Sequence, residues 1–267
     1  MKHLIYIIAI TAALASIVAC KSETKQTQQN ENKEAKGLLQ GVWVNGDDGS
    51  ATMMVKGDTI FYADSTSAPV YFAIIDDSLL LRGSKEVKYA IIKQTENIFQ
   101  FKNTAGDVIK LKRSFDDEYN SSDFNTSSTP IEINQGQLIK RDSVVTGAGH
   151  SYHIYTQVNP TTYKVTRSTY NQDGVSVDNV YYDNIVHIGI FNGASCLFRK
   201  DVRKNDLAKY IPKEYIEQGV LSDIFISHID EAGTHLLASV CIPDTQTGYV
   251  VQILVSHSGQ VSYSTSK

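Results

Sequence analysis

The chain has 267 residues, and its 42% apolar share is enough for a hydrophobic core and excludes wholesale disorder. Its 25 Lys and Arg against 29 Asp and Glu leave a formal charge of −4. This balance argues against nucleic acid as a partner, because nucleic-acid-binding proteins usually carry a strongly positive surface. At this length we expect one or two domains.

The N-terminal segment predicts export. Residues 1–19 contain Lys2 and then an apolar run from Leu4 to Val18. This run is shorter than the roughly 20 residues of a comfortable membrane span and is typical of a signal peptide. The segment Ile17-Val18-Ala19-Cys20 resembles the end of bacterial lipoprotein signals. The resemblance implies cleavage before Cys20, acylation of Cys20, and a lipid anchor in the outer membrane, on the periplasmic face or at the cell surface.

The segment after the anchor predicts a flexible tether. Residues 21–36 are polar or charged except for Ala35 and contain no aromatic residue. Such a segment buries too little apolar surface to fold by itself. We therefore predict that the lipidated cysteine and tether occupy residues 20–36 and that the folded part begins at residue 37.

Residues 37–113 predict the first of two antiparallel β domains. Eight short apolar segments follow one another at about ten-residue spacing, separated by turn residues such as Gly57-Asp58 and Asp76-Asp77. This pattern is typical of an antiparallel meander, closed as a barrel or folded as a sandwich. A barrel this small should be filled by side chains.

Gly41-Val42-Trp43 resembles the opening of lipocalin-like barrels. The resemblance implies that the tryptophan closes the barrel floor beneath an arginine from the last strand, a position that Arg113 fits. A plainer interpretation is that Trp43 is the largest core residue of a small meander, and the sequence leaves both open.

The rest of the chain predicts a linker and a second, larger domain. Residues 114–130 are rich in Ser, Asn and Asp, which favours a linker. Residues 131–267 predict an antiparallel sheet domain, with a hairpin at Asp173-Gly174 and a short helical insertion near 201–218. The fold class is therefore mainly β.

The second domain also resembles a known group of proteins. Its segments Ser168–Asn171, Val180–Asn184, Leu197–Val202 and Ser239–Asp244 are similar to those of uncharacterised Bacteroidetes lipoproteins classed as a domain of unknown function. This resemblance implies location and lineage, and it implies no activity.

Chemistry-bearing residues are few. We expect no catalytic motif and no cofactor. We also expect no metal site, because the histidines lack the spacing of strand-borne ligands. Cys196 and Cys241 form a candidate disulfide, with two buried thiols as the alternative. Candidate ligand contacts are six tyrosines that could stack on sugar rings or anchor a protein: Tyr152, Tyr155, Tyr163, Tyr170, Tyr181 and Tyr182.

These observations favour a lipid-anchored envelope protein that binds a glycan, a small ligand or an envelope partner without catalysis. One alternative is a hydrolase acting on glycan or cell-wall material, for which Asp183, His187 and His150 would be examined first. A structural envelope subunit is the other alternative. The partners expected are the membrane, through the lipid, and a glycan or envelope protein.

Overall fold

The computed structural model describes residues 30–115, 119, 121–127 and 129–265. The predicted signal peptide, the predicted lipidation site Cys20 and most of the predicted tether lie outside these residues. The described chain is mainly β, as the sequence predicts. Among the described residues, no helix has the length and apolar character needed to cross a membrane.

A closed antiparallel barrel forms the first part. Its eight strands follow one another in chain order, and the first strand pairs with the last to close the ring. The strands are β1 Gly41–Asn45, β2 Ala51–Lys56, β3 Thr59–Tyr62, β4 Val70–Ile75, β5 Ser78–Arg82, β6 Glu86–Gln94, β7 Ile98–Lys102 and β8 Val108–Arg113. All eight correspond to the apolar segments of the sequence.

A short helix covers one end of the barrel. Helix α1, Lys33–Leu38, begins at Asn32, whose side chain accepts a hydrogen bond from the Ala35 amide at 3.0 Å. Leu39, just after the helix, is fully buried in the barrel core. The predicted boundary at residue 37 is therefore too late. Composition did not reveal this helix because its support comes from the barrel and from its cap.

Trp43 lies in this end of the barrel, and Arg113 pairs with it across β1 and β8. The Arg113 Cζ atom is 5.1 Å from the centre of the Trp43 ring. Gly41 has φ +114°, and an added Cβ there would lie 3.2 Å from the Arg113 guanidinium. Glycine therefore allows both the backbone turn and the approach of the arginine. The expected contact of Arg113 with Trp43 is present. Trp43 is also a fully buried core residue, as the plainer interpretation of the sequence expects.

Two four-stranded antiparallel sheets form the second part. One contains the first four strands of this part and the other the last four, and in both sheets each strand lies beside the next strand in the chain. They share a core that includes Ile188 of the first sheet and Ile253 of the second. The strands are β9 Ile139–Gly147, β10 His150–Tyr170, β11 Ser176–Asn192, β12 Ser195–Arg203, β13 Val220–Ile229, β14 Thr234–Cys241, β15 Gly248–Val255 and β16 Val261–Thr265.

The helical insertion lies where the sequence predicts it. A 3-10 helix, Lys204–Tyr210, is followed by helix α2, Lys213–Gln218, with Pro212 at its start and Gly219 at its end. Leu207 and Ile216 are buried in the core between the sheets.

Strands β10 and β11 are longer than the sequence indicates. The pattern predicts a break near residue 160 in β10, and the structure has a register shift between Pro160 and Lys164 within one continuous strand. The two strands form a long hairpin that reaches the barrel. Val175 and Val177, at its tip, belong to the barrel core and fill the end opposite helix α1.

The predicted linker packs against the barrel where it is described. Phe124 is buried at 3% exposure. The Asn125 amide donates to the Tyr62 carbonyl at 2.9 Å, and its side chain donates to the Ser67 carbonyl at 3.0 Å. The polar composition of this segment therefore serves hydrogen bonds to the barrel as well as solvation.

Candidate functional site

A polar cleft of about 560 Å³ lies where the tip of the β10–β11 hairpin meets the mouth of the barrel. The barrel contributes the loops after β1 and β3, and the hairpin contributes both strands and its turn. Polar side chains from both parts line it, among them Asp48, Ser50, Asp64, Asn171, Asp173 and Asn179.

Local turns fix two of the carboxylates. Asp48 accepts hydrogen bonds from the Ser50 amide at 2.9 Å and the Ser50 hydroxyl at 2.7 Å, and these hold its pKa below the ordinary value. Burial opposes the charge of Asp64, but hydrogen bonds from Ser67 and Thr66 outweigh it and lower the pKa of Asp64. Both groups are therefore ionised at neutral pH.

The pKa of the third carboxylate, Asp173, is shifted in the opposite direction, above its ordinary value. Burial raises the pKa of Asp173, and the negative charge of Asp48 raises it further. The Asp173 carbonyl accepts a hydrogen bond from the Asn103 side chain at 3.0 Å, which holds the hairpin turn on the barrel. The cleft thus contains two stabilised anions and one carboxylate whose charge is disfavoured.

Asn179 supplies a buried acceptor that lacks a donor. The residue is 9% exposed and lines the cleft, and its side-chain Oδ1 has no hydrogen-bond partner in the described part of the chain. Leaving such a buried acceptor unpaired costs about 1–3 kcal/mol. A hydroxyl or amide group of a ligand is the kind of donor that this oxygen needs.

The six predicted tyrosines do not share one exposed face. Tyr170 is 59% exposed and lines the cleft, whereas Tyr163 is 53% exposed and lies beside Arg203. Tyr152 and Tyr181 are 2% and 1% exposed. Side chains alternate between the two faces of a strand, and these two side chains point into hydrophobic cores. Their burial leaves no ring face for a ligand.

Tyr155 and Tyr182, the remaining two tyrosines, are both half-buried. Tyr155 donates to the Gln157 side chain, and Tyr182 lines a smaller groove beside Pro160. Tyr170 is therefore the one of the six that meets the main cleft.

The structure contradicts the candidate disulfide between Cys196 and Cys241. Cys196 and Cys241 are both free, the first exposed and the second half-buried. Cys241 pairs with Val220, which packs on Tyr181, while Cys196 pairs with Phe191. The two cysteines therefore lie near positions of β11 that are ten residues apart. At about 3.3 Å per residue, the distance between them is far longer than a disulfide can span.

The residues first examined for a hydrolase do not come together. Asp183 is buried and accepts hydrogen bonds from the Asn184 and Leu221 amides, both at 2.9 Å. His187 contacts Asp201, with 2.6 Å between Nδ1 and Oδ1. His150 stacks on His257 with 4.0 Å between ring centres. Asp183 connects the two sheets, and the two histidines have separate partners.

One group among the described residues could hold a metal ion, although the sequence predicts none. The candidate ligand atoms of His228, Asp230 and His235 all lie within 4.8 Å of one another. The spacing argument missed this group because it considered ligands on one strand, whereas the two histidines face each other across the β13–β14 hairpin. The sequence feature that could have revealed this group is a histidine on each side of the turn residues Asp-Glu-Ala-Gly.

Fold and site together define an all-β protein in which a hairpin from a two-sheet part closes a small barrel and forms a polar cleft with it. The sequence profile of the family described as Domain of unknown function (DUF4738) matches residues 117–263. This match covers just over half of the chain, so the chain belongs to that family. It includes the hairpin side of the cleft and begins after the barrel. A comparison with curated proteins found no match.

Proposed function

We propose that this protein is a lipid-anchored protein of the cell envelope that binds a hydroxyl-rich ligand, of the glycan class, in the cleft between barrel and hairpin. The observation that carries the proposal is a polar cleft of about 560 Å³ at which the buried Oδ1 of Asn179 has no hydrogen-bond partner among the described residues. This size is within the range of small-molecule sites. Binding without chemical change agrees with the scattered hydrolase candidates.

The lining favours a neutral polyhydroxyl compound. Asp48 and Asp64 accept hydrogen bonds in their ionised forms, and their charges disfavour an anionic ligand. Tyr170 adds an exposed aromatic ring at the same cleft, and such a ring can pack on the apolar face of a sugar. The cleft therefore offers acceptors for hydroxyl groups beside a stacking surface.

Native mass spectrometry of the full chain, followed by calorimetry with neutral glycans, tests ligand binding. We expect a discrete adduct that disappears on denaturation. Tyr170→Ala should weaken binding about tenfold, the equivalent of about 1.4 kcal/mol. Tyr163→Ala is the matched control, since Tyr163 is similarly exposed but lies outside the cleft. Absence of any adduct and of saturable binding, or equal losses in both variants, would overturn the proposal.

The anchor has its own test. Metabolic labelling with a radioactive fatty acid should label the protein and place it in the outer-membrane fraction, because Cys20 ends a lipoprotein-like signal. Cys20→Ala should abolish both the label and the membrane association, while Cys196→Ala should change neither. A labelled Cys20→Ala protein would contradict lipidation at this cysteine.

A glycan hydrolase remains a second candidate because of Asp173. A carboxylate with a raised pKa next to an ionised one is the arrangement by which glycosidases divide acid and base roles. Asp173 would then be the acid and Asp48 the base. Release of reducing sugars by the wild type, lost in Asp173→Asn, would favour this reading. Intact glycan recovered after binding would favour binding alone.

A further inference from the structure

The β13–β14 hairpin presents three side chains to one point in the part of the molecule that contains the two sheets. His228 and His235 occupy directly paired positions, and their rings stack with 4.2 Å between centres and 9° between planes. Asp230 follows in the turn between them. The Asp230 carboxylate lies 3.0 Å from His235 Nε2 through Oδ1 and 3.8 Å from His228 Nε2 through Oδ2.

These separations suit a transition-metal ion. Tetrahedral zinc with ligands at about 2.0–2.2 Å separates neighbouring ligand atoms by about 3.3–3.5 Å, and the two observed distances lie on either side of that range. Two imidazole nitrogens and one carboxylate oxygen are also a ligand set that zinc, copper and nickel accept. We propose that His228, Asp230 and His235 form a binding site for a divalent transition-metal ion of the zinc class.

The surroundings hold the ligands in place. The amides of Ala232 and Gly233 donate to Asp230 Oδ1 at 2.9 and 3.2 Å, so the turn fixes the orientation of the Asp230 carboxylate. Gly233 has φ +144°, and an added Cβ would lie 2.1 Å from the Val255 carbonyl oxygen. Only glycine therefore fits at this position of the turn, which packs closely against the Val255 backbone.

Each histidine has a partner for its second ring nitrogen, as metal ligands usually do. His228 Nδ1 lies 3.1 Å from the Ser227 hydroxyl, which can accept its proton. His235 Nδ1 lies 2.9 Å from the Gln252 amide. With the amide turned so that its oxygen faces the ring, Gln252 accepts the Nδ1 proton and its NH₂ group donates to Ser264. Both Nε2 atoms are then free to bind the metal.

The site keeps an open side. His228 is exposed, so solvent or an added ligand can reach the ion. The nearby His257 does not complete the set, because its Nδ1 contacts the Tyr152 hydroxyl at 2.6 Å and its Nε2 contacts the Asp230 carbonyl at 3.0 Å. Three protein ligands with an accessible fourth position are typical of zinc sites that bind a further molecule.

Metal titration of the full chain without a histidine tag tests this site. After treatment with a chelator, the protein is titrated with Zn²⁺ by calorimetry and with Co²⁺ by visible absorption. We expect one ion per chain and the absorption bands of a low-coordinate Co²⁺ complex. Because loss of an outer partner alone costs about 10–100-fold in affinity, His235→Gln and His228→Gln should each cost about 100-fold or more.

His187→Gln is the matched control, since His187 also contacts an aspartate but is not part of the candidate metal group found among the described residues. It should leave the affinity unchanged within about twofold, well below the cost of a lost metal partner. Circular dichroism of each variant separates loss of metal binding from loss of folding. Absence of saturable binding to the wild type, or equal affinity in folded His235→Gln protein, would overturn the proposal.

Discussion

Asp178 of the β10–β11 hairpin accepts hydrogen bonds from both the amide and the hydroxyl of Ser84 in the barrel, at 2.5 and 2.7 Å. The same carboxylate accepts a bond from the Ser168 hydroxyl at 2.7 Å. Gly83 lies so close that an added Cβ would be 2.6 Å from an Asp178 oxygen. One side chain thus joins the barrel to the hairpin that fills it.

Asp178→Ala should lower the free energy of unfolding by about 1–2 kcal/mol, because hydrogen bonds to a charged acceptor are lost where the groups are partly shielded from water. Urea unfolding followed by tryptophan fluorescence measures this. Trp43, the one tryptophan, reports on the barrel. Asp77→Ala, at an exposed aspartate, is the control. Equal unfolding midpoints for the two variants would show that Asp178 does not stabilise the docked hairpin.

Arg113 should stabilise the fold through its hydrogen bonds and its contact with Trp43 as well as through its charge. Its Nη2 donates to the Leu38 carbonyl and its Nε to the Glu96 carbonyl, both at 2.6 Å, and it lies over the Trp43 ring. Arg113→Ala should therefore cost about 2–3 kcal/mol in unfolding free energy. Arg82→Ala is the control, because its ion pair with Glu86 is exposed and should contribute less than about 1 kcal/mol. A smaller loss for Arg113→Ala than for Arg82→Ala would contradict this assignment.

Asp173 should weaken the fold as the pH rises. Its pKa is raised in the folded state, chiefly by burial, so the folded protein binds this proton more tightly than the unfolded chain. Stability from this group is present at low pH and falls as the pH rises above the unfolded value of 3.8. Asp173→Asn should therefore stabilise the protein at pH 7 and have little effect at pH 3.

Urea unfolding at both pH values measures this effect, with Asp77→Asn at an exposed position as the control. A stabilisation of Asp173→Asn that is equally large at pH 3 would point to a cause other than the charge. A destabilisation at pH 7 would contradict the raised pKa.

The two cysteines should differ in reactivity. Cys196 is exposed, while burial raises the pKa of the Cys241 thiol and slows formation of its thiolate. Iodoacetamide at pH 8 should alkylate Cys196 in the native protein, and Cys241 only after unfolding. Peptide mapping by mass spectrometry distinguishes the sites. A Cys196–Cys241 peptide pair that resists alkylation until a reductant is added would restore the disulfide.

Much of the fold could be predicted because it depends on local patterns. The eight apolar segments of residues 37–113 specify the barrel strands, since alternation and turn residues act over a few neighbours. The Asp173-Gly174 turn predicts the hairpin for the same reason. The long, continuous β10 and β11 could not be predicted, because the segment around Pro160 resembles a break unless its neighbouring strands are known.

The sequence by itself determined the β class, the strand segments, the helical insertion and the prediction of export through Cys20, because each depends on residues close together in the chain. Only the tertiary structure decided that Val177 fills the barrel, that Asn179 meets Asp48 at one cleft, and that Cys196 lies far from Cys241. These relationships join residues separated by tens of positions. Their proximity depends on strand pairing and docking, which no local pattern specifies.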